Sequence, residues 1–169
     1  MTIAETLLKE VEQEARATRR LLERVPEDQL AWRPHPKSMS LGQLSLHVAV
    51  VPGAIAEMAT KSPFQAPRFD HPSAARAADL VPAFEASLAQ VRSILGGKDD
   101  AWIGETWRMV DGERELWATP RIGLLRSLML NHWYHHRGQL SVYLRQLGVA
   151  LPSIYGPTAD ENPFAGAPS

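Results

Sequence analysis

Six histidines are the residues best placed to do chemistry in this chain: His35, His47, His71, His132, His135 and His136. There is no cysteine, which excludes disulfide scaffolds, thiolate metal sites, iron–sulfur clusters and a cysteine nucleophile. Imidazole is therefore the candidate ligand or base. His132 and His136 stand four residues apart in the run NHWYHHRGQL. At about 100° of rotation per residue, a helix stacks them one turn apart, at the middle of the apolar stripe of Leu125, Leu128, Tyr143 and Leu147. His135 falls at the edge of that stripe. Two imidazoles at i and i+4 can aim their nitrogens at one point, as in helical zinc sites. The same arithmetic around His47 turns it inward with Leu44, Val51 and Met58. His35 and His71 adjoin prolines in connecting segments and are expected to be exposed and at most structural.

Two arrangements account for inward imidazoles. Each can be an ordinary core histidine, hydrogen-bonded within the protein. Alternatively, one cation satisfies all three, since unpaired buried ring nitrogens cost about 1–3 kcal/mol each. Spacing alone leaves both open. Gln139 lies one turn beyond His136, where it either hydrogen-bonds a ligand from outside the coordination shell or sits as an amide at the core edge. His135 is an alternative ligand if the helix is rotated slightly. Arg137 lies on the far side and is expected to face solvent or another chain. Tyr143 points inward and needs a partner for its hydroxyl.

The elements that carry these residues are mostly helical. Ile3, Leu7, Val11, Ala15, Thr18 and Leu22 form one stripe over residues 3–24, and Pro26 ends that helix. Ser40 and Gln43 form a capping-box pattern that opens a second helix over 41–60. Pro52 and Gly53 predict a kink near its middle. Residues 61–73 are a proline-rich crossing loop. Leu80, Phe84, Leu88, Val91 and Leu95 define a third helix over 79–95, with Asp79 as N-cap and Gly96-Gly97 as stop. Asp111-Gly112 between short apolar runs is a hairpin signal over 105–118, with a plain loop as the alternative. Trp107 and Trp117 within it either roof a pocket or simply pack. Thr119 as N-cap and Pro120 at the first position open a fourth helix that ends at Gly148. The expected class is all-α: a four-helix bundle over 1–150, with a possible hairpin between helices three and four. Residues 151–169 form an irregular tail that Ile154, Tyr155 and Phe164 could pin to the body.

Composition narrows the function classes. The chain has 169 residues with 18 Lys plus Arg against 19 Asp plus Glu, a formal net charge of -1. That balance, with no basic stripe, argues against nucleic acid or an anionic membrane as partner. Charged residues interrupt the apolar start, so no secretory signal is read, and Leu41–Ala59 reads as a buried helix rather than a membrane span. The expected location is cytoplasmic.

A histidine in helix two, followed by H-x-x-x-H-R-G-Q in helix four, resembles the DinB/YfiT-like superfamily of metal-binding bundles. Here the run is His132 to Gln139. The opening SMSLGQLSLH and the ending YGPTADE are similar to segments of the same group. The resemblance implies three histidine ligands, which map to His47, His132 and His136, and a divalent ion, zinc or nickel above all. Three ligands leave coordination open, as in catalytic rather than structural sites. Some relatives use the metal to activate a low-molecular-weight thiol such as bacillithiol, mycothiol or glutathione, chemistry that needs no cysteine in the protein. The resemblance also implies a homodimer, with Gly138 a candidate close-contact residue within the bundle or between subunits. Two functions follow as expectations: a metal-dependent thiol S-transferase acting on a small molecule, or a non-catalytic metal-binding stress or interaction protein.

Overall fold

The computed structural model describes residues 1–68 and 70–165. The last four tail positions of the sequence reading lie outside these. Four helical segments dominate. Helix α1 spans Ile3–Leu22, α2 Leu41–Ala59 and α3 Leu80–Leu95. A one-turn α4, Asp100–Gly104, and a short α5, Arg121–Leu124, follow. A π-helical stretch, Leu125–Asn131, continues α5 into α6, His132–Gln146. Helix α2 is the centre of the packing, with α3 and α6 against it and α1 against α3. Its length and composition would suffice for a membrane crossing, yet 56% of its apolar window is buried inside the protein, as the sequence reading of a core helix requires.

The all-α expectation needs correction, because a three-stranded sheet is present, in the order β1-β2-β3. Strands β2, Thr106–Asp111, and β3, Arg114–Pro120, form the expected antiparallel hairpin. Its two-residue loop is Gly112-Glu113, with Gly112 at φ +59°, one position later than the Asp111-Gly112 reading. Glycine suits that first loop position because primed turns need a positive φ there. Strand β1, Phe64–Gln65, comes from the proline-rich loop and pairs parallel to β2. Two residues are too few to show an alternating pattern, so nothing in the sequence announced it. Trp107 is fully buried and donates its indole N–H to Met58 O and Lys61 O at 3.1 and 2.8 Å. It packs against Phe64 and Trp117, so the tryptophans anchor the sheet to the end of α2. Buried Arg121 completes that end by donating to Ala59 O at 3.0 Å. Carbonyls at a helix terminus lack partners within the helix, and here side chains supply them.

Helix α2 opens with the capping box read from sequence. Ser40 Oγ accepts from Gln43 N at 3.2 Å, and Gln43 Oε1 accepts from Ser40 N at 2.9 Å. The helix then runs unbroken through Pro52. Proline removes one backbone donor and crowds the preceding turn. The Ser87 hydroxyl of α3 bridges this stretch, accepting from Gly53 N at 2.8 Å and donating to Val50 O at 3.3 Å. A Cβ on Gly53 would lie 2.9 Å from Ser87 O, so glycine is what lets α3 come this close.

The start of the last helix also differs from expectation. Thr119 lies within β3, and Pro120 ends that strand at the N-cap position instead of opening the helix, which begins at Arg121. Asp79 caps α3 by position only; its carboxylate pairs with Arg76 instead. In the tail, Ile154 packs on the core, Tyr155 is held by polar bonds described below, and Phe164 is 72% exposed.

Candidate metal centre

His47 comes from the first half of α2, while His132 and His136 open α6. The capping box fixes where α2 begins, and His47 follows Ser40 by two helical turns. The three rings converge. His47 Nε2 and His132 Nε2 are 3.0 Å apart. Ring centroids are 4.6 Å apart for His47–His136 and 4.3 Å for His132–His136. One nitrogen from each ring lies within 4.8 Å of the other two. A tetrahedral zinc ion with N ligands at about 2.0–2.1 Å separates those ligands by about 3.4 Å, so small side-chain adjustments suffice.

The electrostatics suit a cation. Burial, then the neighbouring His136, His132 and His71, pushes the His47 pKa down to about 4. Burial and His132 lower His136 to about 4 against an opposing hydrogen bond from Gln139. His132 is lowered as well, chiefly by burial and then by His135. All three rings are therefore neutral at pH 7 and carry lone pairs. His136 Nδ1 lies 2.7 Å from Gln139 Oε1. An amide oxygen only accepts, so Nδ1 carries the proton and Nε2 is left as a lone pair. Between His47 and His132 a single N–H can be shared. Three converging nitrogens with so few protons fit a divalent ion better than a closed hydrogen-bond network.

The other candidates are sorted by the same geometry. His135 is exposed, with its ring 5.1 Å from that of His136, and stands outside the cluster. Tyr143 is half-buried and donates to Met39 O at 3.3 Å. Gly138 is exposed, and a Cβ there would meet open space, so no close contact within the chain requires it. Trp107 and Trp117 line neither cavity beside the histidines. His71 is exposed as expected, yet its ring lies 6.0 Å from that of His47, and its carbonyl accepts from Gln43 Nε2 at 2.8 Å. Sequence reasoning missed this placement, because only the folded loop brings residue 71 back over α2.

Arg137 is the clearest correction. It was expected to face outward and is 1% exposed. Its guanidinium bonds Glu14 Oε2 at 2.6 Å, Glu14 O at 3.1 Å and Thr18 Oγ1 at 3.2 Å, and also the Tyr155 hydroxyl. The cause is the π-helical stretch. Between Ile122 and His132 the buried residues are Leu124, Leu125, Met129 and Leu130, repeating at five. Downstream they are Trp133, His136, Arg137, Leu140 and Leu144, at the α-helical spacing. A straight α-helical phase carried from Leu125 past residue 132 therefore assigns Arg137 to the wrong face. The histidines lie at the border of the buried stripe rather than its middle.

A cavity of about 440 Å³ opens beside the cluster, lined by His136, Gln139, Tyr143, Gln43 and His71 together with residues of the 33–39 connector. A smaller one, about 240 Å³, lies on the His47 side, against Asp70 and His71.

Comparison with known proteins agrees with this architecture. The DinB family model matches residues 1–163. The uncharacterized protein YrdA of Bacillus subtilis (strain 168) is 31% identical over 155 residues, 91% of this chain and 89% of that protein. A DinB-like protein from Bacillus cereus ATCC 10987 superposes with a TM-score of 0.70 at 22% identity, covering 89% of this chain and 97% of that one. The DinB-like protein YjoA of Bacillus subtilis gives 0.66 at 19% identity, over 88% and 96%. The chain belongs to the DinB family.

Proposed function

We propose that this DinB protein binds a divalent metal ion, zinc or nickel, through His47, His132 and His136, and is a metal-dependent enzyme of the small-thiol S-transferase type. The carrying observation is the convergence of three neutral imidazoles from two helices beside an open cavity. An ion bound there would supply Lewis acidity, favouring the thiolate form of a small thiol near neutral pH. The chain's own residues do the rest. Gln139 holds the His136 tautomer. The packing of α2 against α6 buries His136 and half-buries His47 and His132. The cavity at His136 admits a small molecule. A non-catalytic binding protein, the alternative function, is favoured by a cluster sealed from solvent, and the cavity speaks against sealing. A four-helix-bundle description, a cytoplasmic location and a homodimer belong to the same proposal.

Replacing His132 or His136 with Ala is expected to abolish stoichiometric metal content in elemental analysis. Full occupancy in both variants would overturn the assignment. Consumption of a small thiol with a model electrophile, dependent on the metal, tests the reaction. Metal binding without any thiol turnover would leave the binding-protein function.

A further inference from the structure

The larger cavity beside the histidine cluster has an uneven charge. Its cationic lining residues are Arg33 and Lys37, and the His71 ring and the neutral His136 ring line it as well. The remaining described residues that line it are Pro, Ser, Met, Gln, Leu and Tyr, and none carries a carboxylate. This is not the charge of the protein as a whole, which is -1. Cations elsewhere in the fold are commonly matched: Arg19 with Glu85, Arg92 with Glu12, Arg126 with Glu10, and Arg145 with Asp160. Among the described residues neither Arg33 nor Lys37 has a carboxylate within salt-bridge distance. Both are exposed, so their charge stays hydrated and available. The segment that carries them is nevertheless ordered against the body. Leu41 N donates to Trp32 O at 2.8 Å and Gly42 N to Leu30 O at 2.9 Å. The Trp32 ring meets that of Tyr143 edge-on at 5.4 Å. These contacts fix the connector against α2 and α6 immediately before Arg33. The volume, about 440 Å³, falls within the roughly 300–1,000 Å³ of small-molecule sites.

We propose that Arg33 and Lys37 bind the anionic group, a carboxylate or phosphate, of a small molecule whose other end reaches the histidine cluster. This rests on the reading of that cluster as an open metal centre and specifies the substrate class it serves. Guanidinium and ammonium groups form charge-assisted bonds with such anions. A cavity that joins these cations to an ion held at the histidine cluster would select a molecule with two separated functions. A neutral molecule of the same length gains only the second.

The test uses the full chain loaded with Co(II), whose visible spectrum reports coordination. It is titrated with 3-mercaptopropionate and with its neutral amide, 3-mercaptopropanamide. The acid is expected to bind about tenfold more tightly than the amide, the scale of one charge-assisted contact. In the Arg33→Gln, Lys37→Gln double variant that ratio falls to about one while cobalt content is unchanged. Equal binding of acid and amide by the parent overturns the proposal, as does a preference that survives in the double variant. If cobalt is not retained, or neither thiol perturbs its spectrum, the metal or thiol reading fails, and the anion site is tested separately. Succinate and inorganic phosphate are then titrated calorimetrically into the metal-free parent. Binding lost in the double variant supports the site, and the better ligand identifies the anion. Absence of binding to the parent overturns it.

Discussion

At the scale of single residues, the centre depends on which nitrogen of each ring is free. Gln139 settles this for His136 by accepting from Nδ1. Partners of this kind typically contribute 10–100-fold to metal affinity. Gln139→Leu is therefore expected to weaken metal binding by about that factor while leaving one ion per chain, measured by competition with a chromogenic chelator. Protons compete for the same lone pairs. His47 and His136 titrate near 4 in the folded, metal-free chain, against about 6.5 when unfolded. Between those values the unfolded state holds more protons, so stability is full above about pH 6.5 and falls as the pH drops toward 4. Urea unfolding of the metal-free protein is expected to show a lower midpoint at pH 5 than at pH 7. His136→Gln is expected to narrow the difference.

At the scale of elements, α6 is held by a buried ion pair that sequence periodicity placed outside. Arg137 and Glu14 are 1% and 12% exposed. Removing one partner leaves the other charge buried and uncompensated, a loss of about 3–5 kcal/mol. Arg137→Met is expected to cost stability on that scale by denaturant unfolding. The paired Arg137→Met, Glu14→Leu variant is expected to recover much of it. This pair also shows where the sequence was legible. The stripe of α1 from Leu7 onward, the stripe of α3, the capping box of α2, the glycine stops and the inward turn of His47 all followed from local patterns, whereas Ile3 is exposed. Local patterns fix these features, because each involves residues within a turn or two. The sheet strand at Phe64, the return of His71 over α2 and the burial of Arg137 did not follow. The first is too short to carry a period. The second depends on a loop's path. The third depends on a change of helical pitch, which residue types alone do not announce.

At the scale of the whole molecule, the sheet and the helices share one core. Trp107 is the hinge of that union, with its ring buried and its N–H closing the carbonyl end of α2. Trp107→Ala removes both the volume and the donor and is expected to destabilise the protein by about 3–5 kcal/mol. The loss is expected as one cooperative transition in thermal unfolding, with helical and aromatic signals shifting together. A separate early transition of the hairpin would show that the sheet is only an appendage. The tail is fixed to the body as well: Tyr155 OH donates to Glu14 Oε2 at 2.8 Å, and Glu161 pairs with Arg20.

The hydroxyl of Ser87 has a bearing that its location conceals. Helix α3 supplies no ring to the histidine cluster, yet Ser87 supports α2 on both sides of its proline, at Val50 and Gly53, three and six residues along from His47. A supporting neighbour thus shares in holding the stretch of α2 that follows His47. Variation in α3 can therefore shift the histidine cluster from a distance, with every imidazole left in place.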